Sequence, residues 1–364
     1  LASARKYVAE ITSDNKSLTS KVLGALPKGV LEYTPTPWAT NPHLQIVMSV
    51  LLPHVEALLV RQRFEQQLVD LPDGGQLALD WAAAGDLPAD APVMVILPGL
   101  TSSSSSYHSL CKLALSKSYR PVVFHKRGHA PGVGLGTPAT SKVLQGFGDH
   151  TDFEHCLRVV RESRPSSQVF AVGFSAGSGL LASFTTVSES ADKLLDGAAF
   201  VSAGYDAQTL FQRQAILPFY DRLMTKSLKN LMSPHLEHLE AAGVDVKAMN
   251  RTQRIHQFDD AVYRVIGGHS DLDDYWLANN PMRAWEDNTV PSLAINALDD
   301  PICPGDQIPF EKFAAGTASA SCALITVPKG SHTAFFQGVV PVKWDYGLVV
   351  AYFDALQAVA VEVK

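Results

Sequence analysis

The pentapeptide Gly173-Phe174-Ser175-Ala176-Gly177 follows an apolar run, Val169 to Val172, and precedes a helix-compatible run, Leu180 to Phe184. This arrangement is typical of a nucleophile elbow, G-x-S-x-G, in which a strand turns sharply into a helix. The glycines are needed because side chains at those positions would keep the strand and the helix apart. The pattern therefore predicts a strained turn that exposes the Ser175 hydroxyl beside helix N–H groups able to stabilise an oxyanion.

Apolar runs that alternate with helix-compatible segments predict an α/β fold, with a mostly parallel sheet covered by helices on both faces. The first two runs read as a hairpin around Pro72-Asp73-Gly74-Gly75, and the others suit strands buried on both faces. Asp149 to Glu162 and Tyr346 to Val361 have the apolar periodicity of helices. The eight predicted strands are residues 64–70, 76–81, 93–97, 121–124, 169–172, 198–201, 293–296 and 323–327.

An insert at about residues 203–290, after the sixth strand, is far longer than one crossover helix requires. It is amphipathic and rich in large apolar residues, and ligands bind at the carboxyl ends of parallel strands, so we expect a helical cap over the site. Residues 61–364 are predicted to form one α/β-hydrolase-type domain with this cap. Residues 1–60 are predicted to be a helical extension that packs on the core. Within it, Ile46 to Val60 is interpreted as a buried helix, with a membrane-surface helix as the alternative.

The composition excludes several functional classes. A net charge of −6 without a basic cluster argues against nucleic acid as a partner. The four cysteines are scattered and form no C-x-x-C pair, which argues against a disulfide framework and against a metal site. They favour a reduced, intracellular compartment, cytoplasmic or membrane-associated. Leu1 to Lys21 does not read as a signal peptide, and no apolar run reaches the ~18 residues of a spanning helix.

A serine hydroxyl becomes a useful nucleophile only beside a base, and the base needs an orienting acid. In hydrolases with this elbow the chain order is serine, acid, histidine. His332 follows the eighth strand and is the only histidine between that strand and the C-terminus, so it is the expected base for Ser175. Asp300, after the seventh strand, is the favoured acid. Asp299 beside it and Asp206 after the sixth strand are alternatives.

The oxyanion of an acyl-transfer reaction needs two donors. One is expected from the N–H of Ala176, the residue after the nucleophile. The second is expected from Leu100, in the loop Leu97-Pro98-Gly99-Leu100-Thr101 that follows the third strand. Gly99 in this loop allows the backbone to approach a substrate closely. No cofactor and no metal are expected.

With these residues the chain resembles the α/β-hydrolase superfamily, and more narrowly its YheT-like branch of lipases and esterases. The resemblance implies the α/β-hydrolase fold and a triad of Ser175, Asp300 and His332. One departure is His125, which stands where the branch usually has Asn. The segments that carry the resemblance are Asn41-Pro42-His43-Leu44-Gln45, Leu97-Pro98-Gly99-Leu100-Thr101, Lys126-Arg127-Gly128, Phe258-Asp259 and Asp274-Tyr275.

The sequence therefore predicts a serine hydrolase of carboxylic esters that acts through an acyl-enzyme. The apolar cap favours medium- or long-chain, lipid-like acyl esters, and it allows peripheral contact with a membrane. An acyltransferase or thioesterase with the same triad is one alternative. A non-catalytic ligand-binding protein with a hydrolase fold is the other.

Overall fold

A nine-stranded sheet lies at the centre of the part of the chain that the structure describes. The computed structural model describes residues 5–14, 16–59, 62–130, 132–133, 144, 146–213, 215–318 and 320–362. All eight predicted strands belong to this sheet, and a ninth strand from the N-terminal segment joins it. The strands are β1 (Tyr7–Val8), β2 (Glu10–Ser13), β3 (Glu32–Tyr33), β4 (Phe64–Asp70), β5 (Gln76–Ala82), β6 (Val93–Leu97), β7 (Arg120–His125), β8 (Val169–Phe174), β9 (Gly197–Val201), β10 (Ser292–Ala297), β11 (Cys322–Val327), β12 (Phe336–Gln337) and β13 (Val342–Lys343).

The order of strands in the central sheet is β2-β11-β10-β9-β8-β6-β7-β5-β4. The six strands β6 to β11 run parallel, so their carboxyl ends meet at one edge. The predicted hairpin β4–β5 is antiparallel and continues the sheet beyond β7. The unpredicted strand β2 pairs antiparallel with β11, where Ile11 lies opposite Ile325.

Helices cover both faces of the sheet, as the sequence predicts. The helices are α1 (Ser17–Gly24), α2 (Pro42–Leu59), α3 (His108–Ser116), α4 (Thr151–Ser163), α5 (Ala176–Val187), α6 (Ala191–Leu194), α7 (Pro218–Met232), α8 (Leu236–Ala241), α9 (Val246–Arg251), α10 (Ile255–Phe258), α11 (Arg264–Gly267), α12 (Leu272–Asn279), α13 (Phe310–Ala314) and α14 (Trp344–Glu362). Short π-helical turns lie at Gln208–Gln212 and Asp259–Tyr263.

Alternating side chains of the strands build a separate core on each face. On one face α4 and α5 pack against the sheet, and Phe153 meets Phe184 edge-on at 5.2 Å between ring centroids. On the other face α3 and α14 pack, and Phe353 stacks on Phe170 at 4.9 Å. The strand β8 contributes buried residues to both cores, so the turn that follows it starts from a rigid support.

The cap follows β9, as expected for the sixth predicted strand, and contains α7 to α12. It has an apolar core of its own, with Leu228, Phe258, Tyr275 and Trp276 buried in it. This core explains why the cap holds a shape above the carboxyl edge of the sheet.

The segment before β4 contains strands as well as helices. Of the predicted extension 1–60, residues 1–4, 15 and 60 lie outside the described residues. Here α1 contacts α14, β2 enters the central sheet, and α2 packs near α3 and the turn at Ser104–Ser106. Among the residues described, none of the helices combines the length and the hydropathy needed to span a membrane.

Candidate active site

Ser175 lies between the end of β8 and the first residue of α5, with φ 52° and ψ −116°. A positive φ is strained for a residue with a side chain. A Cβ on Gly173 would lie 2.5 Å from the Gly177 carbonyl oxygen, and one on Gly177 would lie 2.2 Å from the Leu97 carbonyl oxygen. Neither distance is tolerable, so both glycines are required by backbone contact, for the reason that the motif predicts.

Ser175, His332 and Asp300 form a continuous hydrogen-bonded chain. Ser175 Oγ lies 2.7 Å from His332 Nε2, and His332 Nδ1 lies 2.7 Å from Asp300 Oδ2. With Asp300 as acceptor, Nδ1 carries the proton and Nε2 is free to accept from the serine hydroxyl. The Asp300 side chain is fully buried, and its other oxygen accepts the N–H groups of Ile302 and Cys303 at 2.8 and 2.9 Å. These bonds fix the orientation of the carboxylate.

The two alternative acids have other partners. Asp299 Oδ1 accepts the Ser331 N–H at 3.0 Å, and Lys329 lies 3.6 Å from its other oxygen. Asp206 accepts from the backbone and the hydroxyl of Thr209 and from the amide of Asn280. Burial alone would raise the pKa of Asp206, but these hydrogen bonds outweigh it and the pKa is lowered. The geometry therefore brings Asp300 to His332 and assigns Asp299 and Asp206 to the support of loops.

The two predicted oxyanion donors lie on either side of the elbow. A Cβ on Gly99 would lie 3.6 Å from Ser175 Cβ, so the loop that carries Leu100 passes directly beside the nucleophile. Within the described residues, no acceptor takes the N–H of Leu100 or of Ala176. Tyr107, which the sequence did not single out, holds this loop by accepting the Gly99 N–H at 3.2 Å. Burial raises the pKa of Tyr107, so its hydroxyl stays neutral.

A family model described as the alpha/beta hydrolase family matches residues 94–341, well over half of the chain. The chain belongs to the α/β-hydrolase family. The resemblance drawn from the elbow and its partners is thereby confirmed at the level of the family and the fold.

Several curated relatives match most of this chain's length. Human protein ABHD15 is 29% identical over 93% of this chain and 72% of its own. Mouse phospholipase ABHD3 is 28% identical over 86% of this chain and 75% of its own, and monoacylglycerol lipase ABHD2 of Danio rerio is 23% identical over 95% and 83%. The solved esterase Pf2001 of Pyrococcus furiosus has a TM-score of 0.52 at 14% identity, over 83% of this chain and 95% of that one, which shows a shared fold alone.

In this hydrolase a cavity of about 450 Å³ opens onto Ser175 and His332. We call it the outer cavity. The walls come from the loop at residues 99–107, from α2 through Val50 and Leu52, and from α7 through Leu223. The N-terminal segment and the cap thus both shape the access to the site.

A second chamber, of about 50 Å³, lies beyond the oxyanion loop. We call it the inner chamber. It shares Gly99 and Leu100 with the outer cavity and contains Ala176, and apolar cap side chains such as Leu228 and Trp276 close it. The two expected oxyanion donors therefore lie where the cavity and the chamber meet.

Ionisable side chains of the inner chamber are pushed towards their neutral forms. Burial raises the pKa of Asp259 well above its usual range, with the nearby charge of Asp221 adding to the effect. Burial also lowers the pKa of His129 to about 3 and that of Lys126 to about 8. With a pKa of about 3, His129 is uncharged at neutral pH, and burial disfavours the charged form of Asp259.

One cluster in the site has the spacing of a metal centre: Asp300, Cys303 and His332, with candidate ligand atoms within 4.8 Å of one another. The donor set does not fit a metal well. Both ring nitrogens of His332 already have hydrogen-bond partners. Burial, reinforced by the charge of Asp300, raises the pKa of the Cys303 thiol well above its usual value, whereas a metal needs the thiolate. The cluster suits a hydrogen-bonded triad better than a metal site.

The loop that carries His332 has a strained backbone. Ser331 and Thr333, on either side of the histidine, have φ values of 57° and 49°, and Phe335 has 43°. Such values are rare for residues other than glycine, and they persist only where surrounding contacts enforce them.

Four side-chain contacts hold this loop. The Ser331 N–H donates to Asp299, and the Ser331 hydroxyl donates to the Pro42 carbonyl at 2.7 Å. The Thr333 N–H donates to Ser202 Oγ at 2.9 Å, and the Lys343 ammonium donates to the Thr333 carbonyl. The partners come from distant parts of the sequence, so sequence patterns gave no sign of their role.

Ser202→Ala is expected to loosen this loop, because it leaves the Thr333 N–H without its acceptor. We expect the reaction of Ser175 with a fluorophosphonate probe to slow by about tenfold, or ~1.4 kcal/mol of barrier. The control is Ser183→Ala, which removes a buried hydroxyl that donates to the Gly148 carbonyl elsewhere. If both variants lose the same stability and slow equally, Ser202 does not position His332.

Proposed function

We propose that this protein is a serine hydrolase of carboxylic esters that works through an acyl-enzyme on Ser175. The observation that carries the proposal is the hydrogen-bonded chain from Ser175 Oγ through both ring nitrogens of His332 to Asp300. Membership of the α/β-hydrolase family supports it, as do relatives named phospholipase and monoacylglycerol lipase.

In the proposed reaction each residue of the site acts once in the acylation step and once in the deacylation step. His332 Nε2 takes the proton of Ser175 as Oγ attacks the ester carbonyl, and Asp300 stabilises the imidazolium that forms. The N–H groups of Leu100 and Ala176 donate to the oxyanion. His332 then gives its proton to the leaving alcohol, and water repeats the sequence on the acyl-enzyme.

The positions of the outer cavity and the inner chamber determine the orientation of the proposed substrate. The leaving alcohol must lie on the side of His332, which faces the outer cavity. The acyl chain then runs past Leu100 and Ala176 into the inner chamber, which is lined mainly by apolar side chains. Each CH₂ buried there contributes roughly 0.8 kcal/mol. We therefore propose that the substrate is a lipid-like acyl ester. We also propose that the protein takes this ester from a membrane with which it makes peripheral contact.

Ser175 is expected to react covalently with a fluorophosphonate probe. Ser175 lines the outer cavity, and its hydroxyl lies 2.7 Å from His332 Nε2, so a base is already in place. Intact-mass spectrometry should show one adduct on the wild type and none on Ser175→Ala. Equal labelling of both proteins would place the nucleophile elsewhere. A folded wild type that does not react would favour a ligand-binding protein.

Asp300→Asn is expected to lower kcat for a p-nitrophenyl ester by up to ~10⁴, as the loss of the orienting carboxylate does in other triads. Asp299→Asn keeps an oxygen that can accept the Ser331 N–H, and Asp206→Asn keeps one for Thr209. Both should stay within about tenfold of the wild type. A large loss at Asp206 with a small one at Asp300 would reverse the assignment.

The acyl chain is tested by a series of p-nitrophenyl esters from acetate to octanoate. For the wild type kcat/KM should rise along the series, since each methylene adds apolar contact. Leu228→Trp fills the inner chamber and should remove most of this rise while leaving acetate within about threefold, less than ~0.7 kcal/mol. Leu277→Trp, at an exposed position of the cap, is the matched control. Activity that peaks at acetate in the wild type would contradict a lipid-like substrate.

A further inference from the structure

The helix α2 turns an apolar face towards solvent. Leu44, Val47, Leu51 and Val55 share this face at helical spacing, and all four are exposed, with Leu51 58% exposed. The buried side chains of α2 include Gln45 and Met48, and Met48 meets Phe336 in a small apolar cluster. A surface helix of a protein in water normally buries its apolar side chains and exposes polar ones. The exposed apolar face of α2 is therefore better suited to contact with an apolar partner than with water.

Two neighbouring elements extend this apolar face. At the start of α7, Leu217, Phe219 and Leu223 are exposed, with Phe219 70% exposed. The start of α2 touches α7, because His43 Nδ1 lies 2.6 Å from the Tyr220 hydroxyl. The starts of α2 and α7, both of which expose apolar residues, are therefore in contact.

The strand β12, whose Phe336 meets Met48 of α2, leads into a turn that exposes Val339 and Val340. The exposed Trp38 is joined to this turn, since its indole N–H donates to the Val339 carbonyl at 2.8 Å. We call the exposed apolar residues of α2, α7 and this turn, together with Trp38, the rim surface.

The rim surface borders the entrance to the active site at two residues. Val50 of α2 and Leu223 of α7 are exposed and also line the outer cavity that opens onto Ser175. A partner that covers the rim surface would therefore lie directly over the path by which a substrate enters.

The charges beside the rim surface identify the partner's chemistry. Arg222 and Lys226 are exposed on α7, one turn apart and next to Phe219 and Leu223. The one acidic residue in the sequence of α2, Glu56, is half-buried and lines the outer cavity. Apolar side chains flanked by cations, on a chain of net charge −6, suit the boundary between the acyl chains and the phosphate groups of a phospholipid bilayer.

We propose that the rim surface docks on a phospholipid bilayer, with the apolar side chains of α2 and α7 inserted at the headgroup boundary and Arg222 and Lys226 against lipid phosphates. The docked entrance of the outer cavity then faces the lipid, and a lipid ester passes into the site without crossing water. The inference rests on the proposed lipid-ester function for its purpose, whereas the docking itself is measured without turnover.

The test is co-sedimentation of the 364-residue chain with vesicles of phosphatidylcholine, alone or mixed with phosphatidylserine. The double variant Leu51→Glu/Phe219→Glu should lower the vesicle partition coefficient by about tenfold or more, because it removes two inserted side chains. Neither residue lines the outer cavity, so fluorophosphonate labelling of Ser175 should be unchanged. The matched control is Leu277→Glu, on a cap residue that is 77% exposed, and it should bind vesicles like the wild type.

A second pair of variants tests the charges. Arg222→Gln and Lys226→Gln should each weaken binding about fivefold on vesicles with phosphatidylserine, and much less on phosphatidylcholine alone. The proposal is overturned if the wild type does not bind vesicles, or if the double variant binds as well as the wild type. It is also overturned if sedimentation shows that the wild type is a dimer and the double variant a monomer, since the rim surface would then join two copies. Vesicle binding without ester hydrolysis would retain the docking and reject the proposed function.

Discussion

The close backbone contact at the elbow is the constraint on which the rest of the site depends. Gly177 touches the carbonyl of Leu97, so the end of β6 and the start of α5 lie against each other. That contact brings the loop bearing Leu100 beside Ser175 and the N–H of Ala176, and the serine itself has a positive φ of 52°. One steric requirement thus fixes the nucleophile and the proposed oxyanion donors together.

His332 is positioned in a different way, because contacts from residues distant in sequence keep the backbone of its loop in a strained conformation. Its flanking residues Ser331 and Thr333 have left-handed backbone angles that only the surrounding contacts maintain. The contacts come from Pro42 at the start of α2, from Ser202 after β9 and from Lys343 of β13. Because α2 also forms the rim surface, the position of the histidine loop and the entrance of the site share one element.

Local patterns were enough to predict the eight main strands, the elbow and the residues that meet at it, because each leaves a signal within a few residues. The apolar run before Ser175 and the single histidine after β11 are signals of this kind. The strand β2 is only four residues long and pairs with β11, far along the chain. For this reason no local sequence pattern predicted it. The same holds for Tyr107, whose hydroxyl matters only because folding brings it to Gly99.

Residue types in the sequence also give a misleading picture of the polarity of the inner chamber and of the surface beside the outer cavity. Asp259 and His129 look polar in the sequence, yet burial shifts both towards their neutral forms, and most of the other side chains that line the inner chamber are apolar. Apolar residues of α2 look like core in the sequence, yet several of them lie at the surface. Burial therefore disfavours charge in the inner chamber, and exposure places apolar area beside the entrance of the outer cavity. Both features support the proposed ester with an apolar acyl chain, whose polar carbonyl would lie between them at the N–H groups of Leu100 and Ala176.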